Sequence, residues 1–419
     1  MILEIRLSNF YSIKEEIVLD LEAAKINTER ARNLNNHISK VGKKEVLKSV
    51  ALYGANASGK TNIIKAIRFC ASMVYHSHNH NENVVFNFKP FKFDGFSHQP
   101  STFFIRFIAD AIEYEYSFSL SQKSILTEEL YFYPKRKRAK IFSRDENRGK
   151  SKSDIYDFTN VISRPMDVAN NTSDKTLFIS RASQMDREIG KTIFNFFFSQ
   201  FILGYSGHNS PLVEGLFRKF KPQLLKGLQI ADSDIVDIRM KKEKRKGKNI
   251  DTDLLSNTAT IKDVENEALV FTTYHRADPT KAFDMLSEES TGTNVLFATM
   301  LTILDVITNN KILLIDEIEG SLHTEIVEYI VNLFHASERA QLIFTTHNTN
   351  LLDLNKIRKD QIYFVNKLEN GASELYSLFD FKDFRDTMDV EKAYLQGRFD
   401  AIPYVNDSVS NLESLINES

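Results

Sequence analysis

Gly54-Ala55-Asn56-Ala57-Ser58-Gly59-Lys60-Thr61 sets two glycines around a short polar stretch and follows them with a lysine and a hydroxyl; Asn62 continues the run. Residue types at this spacing serve phosphate binding. The glycines let backbone N–H groups turn inward around phosphate oxygens, a following helix points its positive end at them, and the lysine reaches the β and γ phosphates. Lys60 is then the cation of the cradle, and Thr61 supplies a hydroxyl for Mg²⁺. Far downstream, Asp316 and Glu317 end the apolar run Lys311-Ile312-Leu313-Leu314-Ile315. Adjacent carboxylates repel each other, so a pair kept at one strand end points to divided labour. Asp316 would hold Mg²⁺ through water, and Glu317 would polarise an attacking water as general base. A third apolar run, Gln341 to Thr346, ends in His347, placed to contact a γ-phosphate and register its presence.

These groups need strands and a helix to carry them. Val50-Ala51-Leu52 before the glycine loop reads as a buried strand, and Ile63-Ile64-Lys65-Ala66-Ile67 after it as a helix. The runs that end in Asp316 and His347 have the uniform apolarity of central parallel strands. Ile2, Ile5 and Leu7 with Ile17, Leu19 and Leu21 predict a hairpin around Asn9 to Ser12. Phe103 to Phe132 alternates as antiparallel strands do, and a further hairpin ends near Pro134. Lys175 to Gly190 and Thr192 to Leu228 read as mainly helical, with Phe194, Phe197, Phe198, Phe201 and Ile202 on a broad apolar face. The expected division is 1–75 for the first part of the nucleotide-binding head, 76–264 for an inserted β and helical region, 265–405 for the rest of the head, and 406–419 for a polar tail.

The 419 residues, 42% of them hydrophobic, support a sizeable core. With 54 basic and 56 acidic residues, bulk charge gives no argument for nucleic acid. Two local runs are basic, Lys135-Arg136-Lys137-Arg138 with Lys140, and Lys241 to Lys248; in loop or hairpin contexts they are either solvated charge or phosphate contacts. The histidines of His76 to Glu82 likewise read as a solvated loop or a metal site. A lone cysteine, Cys70, excludes an intrachain disulfide framework and a cysteine-built zinc site. The opening residues lack the pattern of a signal peptide, and the most apolar window, Ile193 to Leu203, is too short and too interrupted to span a bilayer. A cytoplasmic protein without membrane association is expected.

Taken together, these motifs resemble the soluble branch of the ABC-class ATPases that includes the SMC, RecF and OLD proteins. Within it, Gln361 to Val365 followed by Tyr394-Leu395-Gln396-Gly397-Arg398-Phe399 and Ala401-Ile402-Pro403 is similar to the RloA and AbiLi type, found in bacterial abortive infection and phage defence. The resemblance covers roughly residues 1–70 and 265–405 and implies an α/β fold. The fold it implies is a P-loop NTPase of ABC-ATPase head type, a mixed sheet with an antiparallel N-terminal β-subdomain and a helical insertion lobe. It implies a signature segment at Leu286 to Thr293, with Ser290 and Gly292 presenting a hydroxyl and a helix N-terminus to the ATP of a second protomer, although the usual Ser-Gly-Gly-Gln text is altered. It further implies a cross-dimer polar turn at Glu319 to His323, a Mg²⁺-contacting glutamine at Gln184, and adenine-side contacts from Asn9, Phe10 and Ser12.

The expected cofactors are ATP and Mg²⁺, and the expected assembly is a homodimer sharing two ATP sites, or a higher oligomer. Three outputs compete: a phage-defence ATPase that senses a nucleic acid or phage protein and governs a separate effector such as a nuclease or toxin; a RecF-like repair ATPase that binds DNA itself; and a self-contained OLD-type nuclease. The chain beyond His347 is short for another catalytic domain, which disfavours the third. The C-terminal resemblance and the neutral net charge favour the first over the second.

Overall fold

The computed structural model describes residues 1–202, 211–231, 233–253, 258–385 and 387–403, and of 211, 245–253 and 258–266 the backbone alone. The tail expected at 406–419 lies outside the described residues. The chain forms two compact units, one of Met1–Leu203, Asn310–Ile318 and Val331–Ser419, the other of Gly204–Asn309 and Glu319–Ile330. This break differs from the expected boundaries. Residues 76–203 belong with the glycine loop and not with an inserted arm, because their strands extend the N-terminal sheet.

In the first unit, β1 (Ile2–Ser8) and β2 (Ile17–Asp20) pair antiparallel with Leu7 opposite Ile17, as their alternation predicts. Short α1 (Glu29–Asn33), capped by Thr28, and the hairpin of β3 (Ile38–Val41) and β4 (Lys44–Leu47) lead to β5 (Ser49–Tyr53). Every residue of β5 is buried, the mark of a strand covered on both faces. The glycine loop follows, then α2 (Lys60–His76). Four antiparallel strands come next, β6 (Ser101–Ala109), β7 (Ile112–Leu120), β8 (Ile125–Phe132) and β9 (Ala139–Asp145), and β6 pairs directly with β1. With β10 (Tyr156–Phe158), reached through α3 (Lys152–Ile155), they form one sheet in the order β10-β9-β8-β7-β6-β1-β2.

Helices α4 (Pro165–Asn170), α5 (Phe178–Gln184) and α6 (Glu188–Gln200) follow this sheet, and β11 (Phe201–Ile202) ends the segment. The N-terminus of α5 is held by buried Glu128, which accepts from Phe178 N at 2.6 Å, Ile179 N at 3.0 Å and Tyr116 Oη at 2.8 Å. A carboxylate there complements the helix dipole. Burial nevertheless raises the Glu128 pKa, against the pull of Arg144 and these donors. On α6, Ile193, Phe196 and Phe197 are the buried hydrophobic residues, and Phe196 stacks on Phe107 at 4.2 Å between centroids. Phe198, expected on the apolar face, is 62% exposed, because the buried stripe runs one residue earlier.

The second unit is built on α7 (Pro211–Ile230), whose Val213, Leu216, Phe217, Phe220, Leu224 and Leu228 recur at helical spacing and are buried. An antiparallel ribbon follows, β12 (Ile235–Asp253) and β13 (Thr258–His275), about 60 Å long at 3.3 Å per residue, with β14 (Asp278–Asp284) added at its base. Short α8 (Met285–Glu288) leads to α9 (Thr291–Thr308). Phe271 of the ribbon packs between Phe217 of α7 and Phe297 of α9. By length and composition α9 could cross a membrane, yet half of it is buried in the fold.

The chain returns to the first unit with β15 (Ile312–Ile315). Beyond α10 (Thr324–Ala336) come β16 (Gln341–Thr345), β17 (Ile362–Lys367), β18 (Ser373–Ser377) and α11 (Val390–Leu395). The second sheet runs β11-β15-β16-β5-β17-β18, parallel except for β18. Gln341, fully buried, joins the sheets: its amide accepts from Ile2 N at 2.7 Å and donates to Ile2 O and Leu47 O.

At the opposite end of β5 from the glycine loop, His37 and His335 stack with 3.4 Å between centroids. His335 Nε2 meets Ser49 Oγ at 2.8 Å, and His37 Nδ1 meets Gln361 Oε1 at 2.9 Å. Burial lowers the His37 pKa from 6.5 to about 4, with Arg358 and Lys48 adding to it against the Gln361 bond. His335 is also pulled well below its usual value by burial, then by His37 and Lys48. The unfolded chain therefore binds protons that the folded one refuses, and the stability these rings carry above pH 6.5 is lost as pH falls toward 4. The midpoint of urea unfolding should be lower at pH 5.5 than at pH 7.5. The His37→Gln, His335→Gln double variant should flatten that dependence, and equal wild-type midpoints would count against the assignment.

Candidate nucleotide site

The register of the parallel sheet sets the site. Ile315 lies beside Phe344, and Thr345 beside Leu52, so the chain leaves β15, β16 and β5 at one rim. Strand β16 lies between the other two, which puts the glycine loop and the acidic pair two strand spacings apart, roughly 10 Å.

The loop's shape is imposed by its neighbours. A Cβ on Gly54 would lie 2.3 Å from the Val365 carbonyl oxygen, and one on Gly59 would lie 2.0 Å from Ser373 Oγ. Gly59 also has φ +112°, which disfavours any side chain, and Ala57 takes a left-handed φ of +62° between them. Ala55, Asn56 and Ala57 form the outer bend, while Ser58 is buried beneath it. Lys60, 6% exposed, donates to the Gly54 and Ala55 carbonyl oxygens at 2.8 and 2.9 Å, so its ammonium lies across the loop. Gly59 is the N-cap of α2 and no side chain caps that end, a helix terminus suited to an anion. Thr61 and Asn62 begin the helix half-buried.

A polar brace holds this loop, built from residues without a local motif. Ser373, the first residue of β18, donates its one hydroxyl proton to Ser58 O at 2.6 Å and meets the Ser12 hydroxyl at 2.7 Å, which it accepts from. Asn62 Nδ2 donates to the same Ser12 Oγ at 2.7 Å. Ser12, expected near adenine, thus touches the loop itself. Asn9 and Phe10 depart from that expectation. Asn9 is buried, donating to Phe96 O and Gln99 O and accepting from Phe91 N. Phe10 is buried among Phe69, Phe88 and Phe103. Hydrogen bonding and packing have already used both side chains, so neither presents a surface to a base.

At the other side of the rim, Thr345 Oγ1 donates to Asp316 Oδ1 and accepts from Glu317 N, both at 2.7 Å. Glu317 has φ +52° and an exposed side chain, and Arg68 of α2 donates to the Leu314 carbonyl from below. His347 leaves β16 two residues after Thr345, with its side chain exposed. Gln184 departs from its expected place. Its helix touches the chain after α2, where Ser180 Oγ accepts from His78 N and Arg181 donates to His78 O. That is one α2 length, about 25 Å, from the loop, and Gln184 is an exposed helical residue. His78 and His80 turn their Nδ1 atoms toward Ser180 and the Lys175 carbonyl, and among the described residues no cluster of His, Cys, Asp or Glu could hold a metal by itself.

Ser290 and Gly292 belong to the second unit. Ser290 is the N-cap of α9, its hydroxyl accepting from Thr293 N at 3.0 Å, and both its hydroxyl and the helix end are exposed. A Cβ on Gly292 would lie 3.3 Å from the Ser321 carbonyl, so the signature turn touches the Glu319 to His323 turn within that unit. Glu289 anchors the signature turn to the ribbon through His275 Nε2 at 2.7 Å, while His275 Nδ1 meets Asp234. Burial depresses the His275 pKa, but the bonds to Asp234 and Glu289 outweigh it and the net shift is upward.

A glycine loop ending one parallel strand and an acidic pair ending another two places away define a P-loop nucleotide-binding fold. The family described as "AAA domain, putative AbiEii toxin, Type IV TA system" matches residues 49–353, well over half of the chain, and the chain belongs to it. None of the curated proteins compared with it matches. Among solved structures it is similar to the SMC head bound to the C-winged helix domain of ScpA, at 16% identity and TM-score 0.41 over 94% of this chain and 99% of that one. It is also similar to the SMC head domain from Thermotoga maritima, at 12% identity and TM-score 0.41 over 90% and 98%.

The brace can be tested apart from the glycines. Ser373→Ala removes two hydrogen bonds worth about 1 kcal/mol each, which should weaken ATP binding several-fold in calorimetry without altering the circular dichroism spectrum. An unchanged affinity would show that the loop holds its shape unaided.

Proposed function

We propose that this chain binds and hydrolyses ATP as an ABC-type ATPase, and acts as the sensor and regulatory subunit of a bacterial abortive-infection system that controls a separate effector such as a nuclease. The observation that carries the ATPase reading is the placement of the Lys60 loop and the Asp316–Glu317 pair on one rim of one sheet. Loop amides and Lys60 bind the phosphates, Glu317 takes the proton of the attacking water, and His347 meets the γ-phosphate. The donor set fits Mg²⁺, a hard cation that takes few protein ligands beside phosphate: Thr61 and Asp316 would hold it, and when bound it supplies charge neutralisation at the phosphates. Ser290 and Gly292 of a second copy complete the site, so that ATP holds a two-fold dimer and hydrolysis loosens it.

The defence role rests on the C-terminal resemblance to the RloA and AbiLi type and on the family description, which speaks of a putative toxin and a Type IV TA system. Toxin control and infection-triggered effectors share a logic, a harmful activity held until a signal arrives. A RecF-like role would need free basic surface, and both runs are partly paired. Arg138 lies over the Tyr131 ring and pairs with Glu115, and Lys140 pairs with Asp157, which leaves Lys135, Arg136 and Lys137 as the remaining exposed cations of the first run. In the second run Lys241 pairs with Glu243, Lys242 pairs with Glu214, and Lys244, Lys246 and Lys248 stand opposite Glu267, Glu265 and Asp263 in the ribbon register.

Glu317→Gln should bind ATP, hydrolyse it at least 100-fold more slowly and accumulate as dimer in light scattering. Lys60→Ala and Ser290→Arg chains, each inactive alone, should regain turnover when mixed, since one composite site is then intact; no recovery at any ratio removes the shared-site reading. DNA binding measured across salt should show no steep dependence. A steep slope lost on neutralising 135–137 or 241–248 would return the choice to direct DNA recognition.

A further inference from the structure

We infer that Thr345 is a positioning residue for ATP hydrolysis, its one hydroxyl setting both the rotation of the Asp316 carboxylate and the backbone from which Glu317 projects. The inference rests on the reading of Asp316 and Glu317 given above. Thr345 is fully buried at the end of β16. Its hydroxyl donates its single proton to Asp316 Oδ1 at 2.7 Å, and its lone pairs accept from Glu317 N at 2.7 Å. Its carbonyl accepts from Ile318 N at 3.1 Å. Three consecutive residues of the acidic segment are therefore tied to one residue of the neighbouring strand.

The tie has a conformational consequence. Glu317 sits at φ +52°, in the left-handed region that non-glycine residues avoid, and such a conformation persists only where surrounding bonds over-determine it. The bonds flanking it, at its own N–H and at that of Ile318, both end on Thr345. Glu317 therefore leaves the strand end in a backbone conformation that the Thr345 bonds hold in place. Because His347 follows Thr345 by two residues on the same strand end, the groups proposed to meet the γ-phosphate and to activate water are registered through one side chain.

Thr345→Val keeps the shape and removes the hydroxyl; Thr345→Ser keeps the hydroxyl. In the full chain, Thr345→Val should lower kcat on the order of 100-fold while ATP affinity stays within about threefold, as expected when a base is misplaced and phosphate binding is not. Thr345→Ser should restore kcat to within about fivefold of wild type. If Thr345→Val does not fold, as judged by circular dichroism, Thr345→Ala takes its place in the same comparison. Wild-type kcat in folded Thr345→Val, with Glu317→Gln inactive, overturns this inference and leaves the ATPase reading standing. Equal impairment in Thr345→Val and Thr345→Ser overturns it in favour of methyl packing. A wild-type protein without ATPase activity removes the functional reading and this inference with it.

Discussion

Everything at the rim is registered through β16. It pairs on one side with β5, which ends in the glycine loop, and on the other with β15, which ends in the acids, and parallel pairing fixes the level at which all three chains leave the sheet. Sliding β16 by one residue would turn its side chains to the opposite face and carry Thr345 away from Asp316. The strand cannot slide, because Gln341 at its start is bonded to Ile2 and Leu47, and Thr345 at its end to the acidic segment. Both ends of a five-residue strand are thus pinned by side-chain hydrogen bonds in a dry interior, where leaving one unmade is costly.

The parts of this arrangement that recur by rule were legible in the sequence. Uniform apolarity announced β5, β15 and β16, and period-two alternation announced β1, β2 and β6 to β8, since burial on two faces and on one leave different patterns. The loop residues announced themselves because only glycine fits where Val365 O and Ser373 Oγ crowd the backbone. What stayed hidden depends on partners distant in the chain. Ser373 and Thr345 look like ordinary strand residues until the fold brings them against Ser58 and Asp316. Asn9 and Phe10 matched a motif position, but a motif does not say which way a side chain turns, and both turn inward. Gln184 had no local signal in the sequence beyond the resemblance, and in the fold it is an exposed residue at the end of α5, whose Arg181 bonds to His78 after α2. The stretch 76–264 divides between the two units because strands far apart in sequence are neighbours in the sheet, β6 pairing with β1.

The C-terminal text that carried the resemblance has a structural use of its own. Tyr394 and Phe399 stack on Phe364 of β17, with ring centroids 5.7 and 4.6 Å away, and Tyr394 meets Tyr53 of β5 edge-on. Tyr53 immediately precedes Gly54. Thr349, just past His347, donates to Glu391 of α11 at 2.6 Å. The segment therefore buttresses the glycine loop and the His347 turn together, a packing role independent of any output.

The ribbon bears on the choice of output through charge arithmetic. A run of lysines on one strand raises the local potential only if the opposite strand does not cancel it. Here β13 places Glu267, Glu265 and Asp263 at three successive same-face rungs against Lys244, Lys246 and Lys248. Opposite charges across a pair stabilise a two-stranded ribbon that would otherwise be marginal, and like charges would split it. The backbone register thus sets acidic positions against basic ones along the two strands, so a run that suggests nucleic acid in the linear sequence belongs to a ribbon whose local charge is close to balanced.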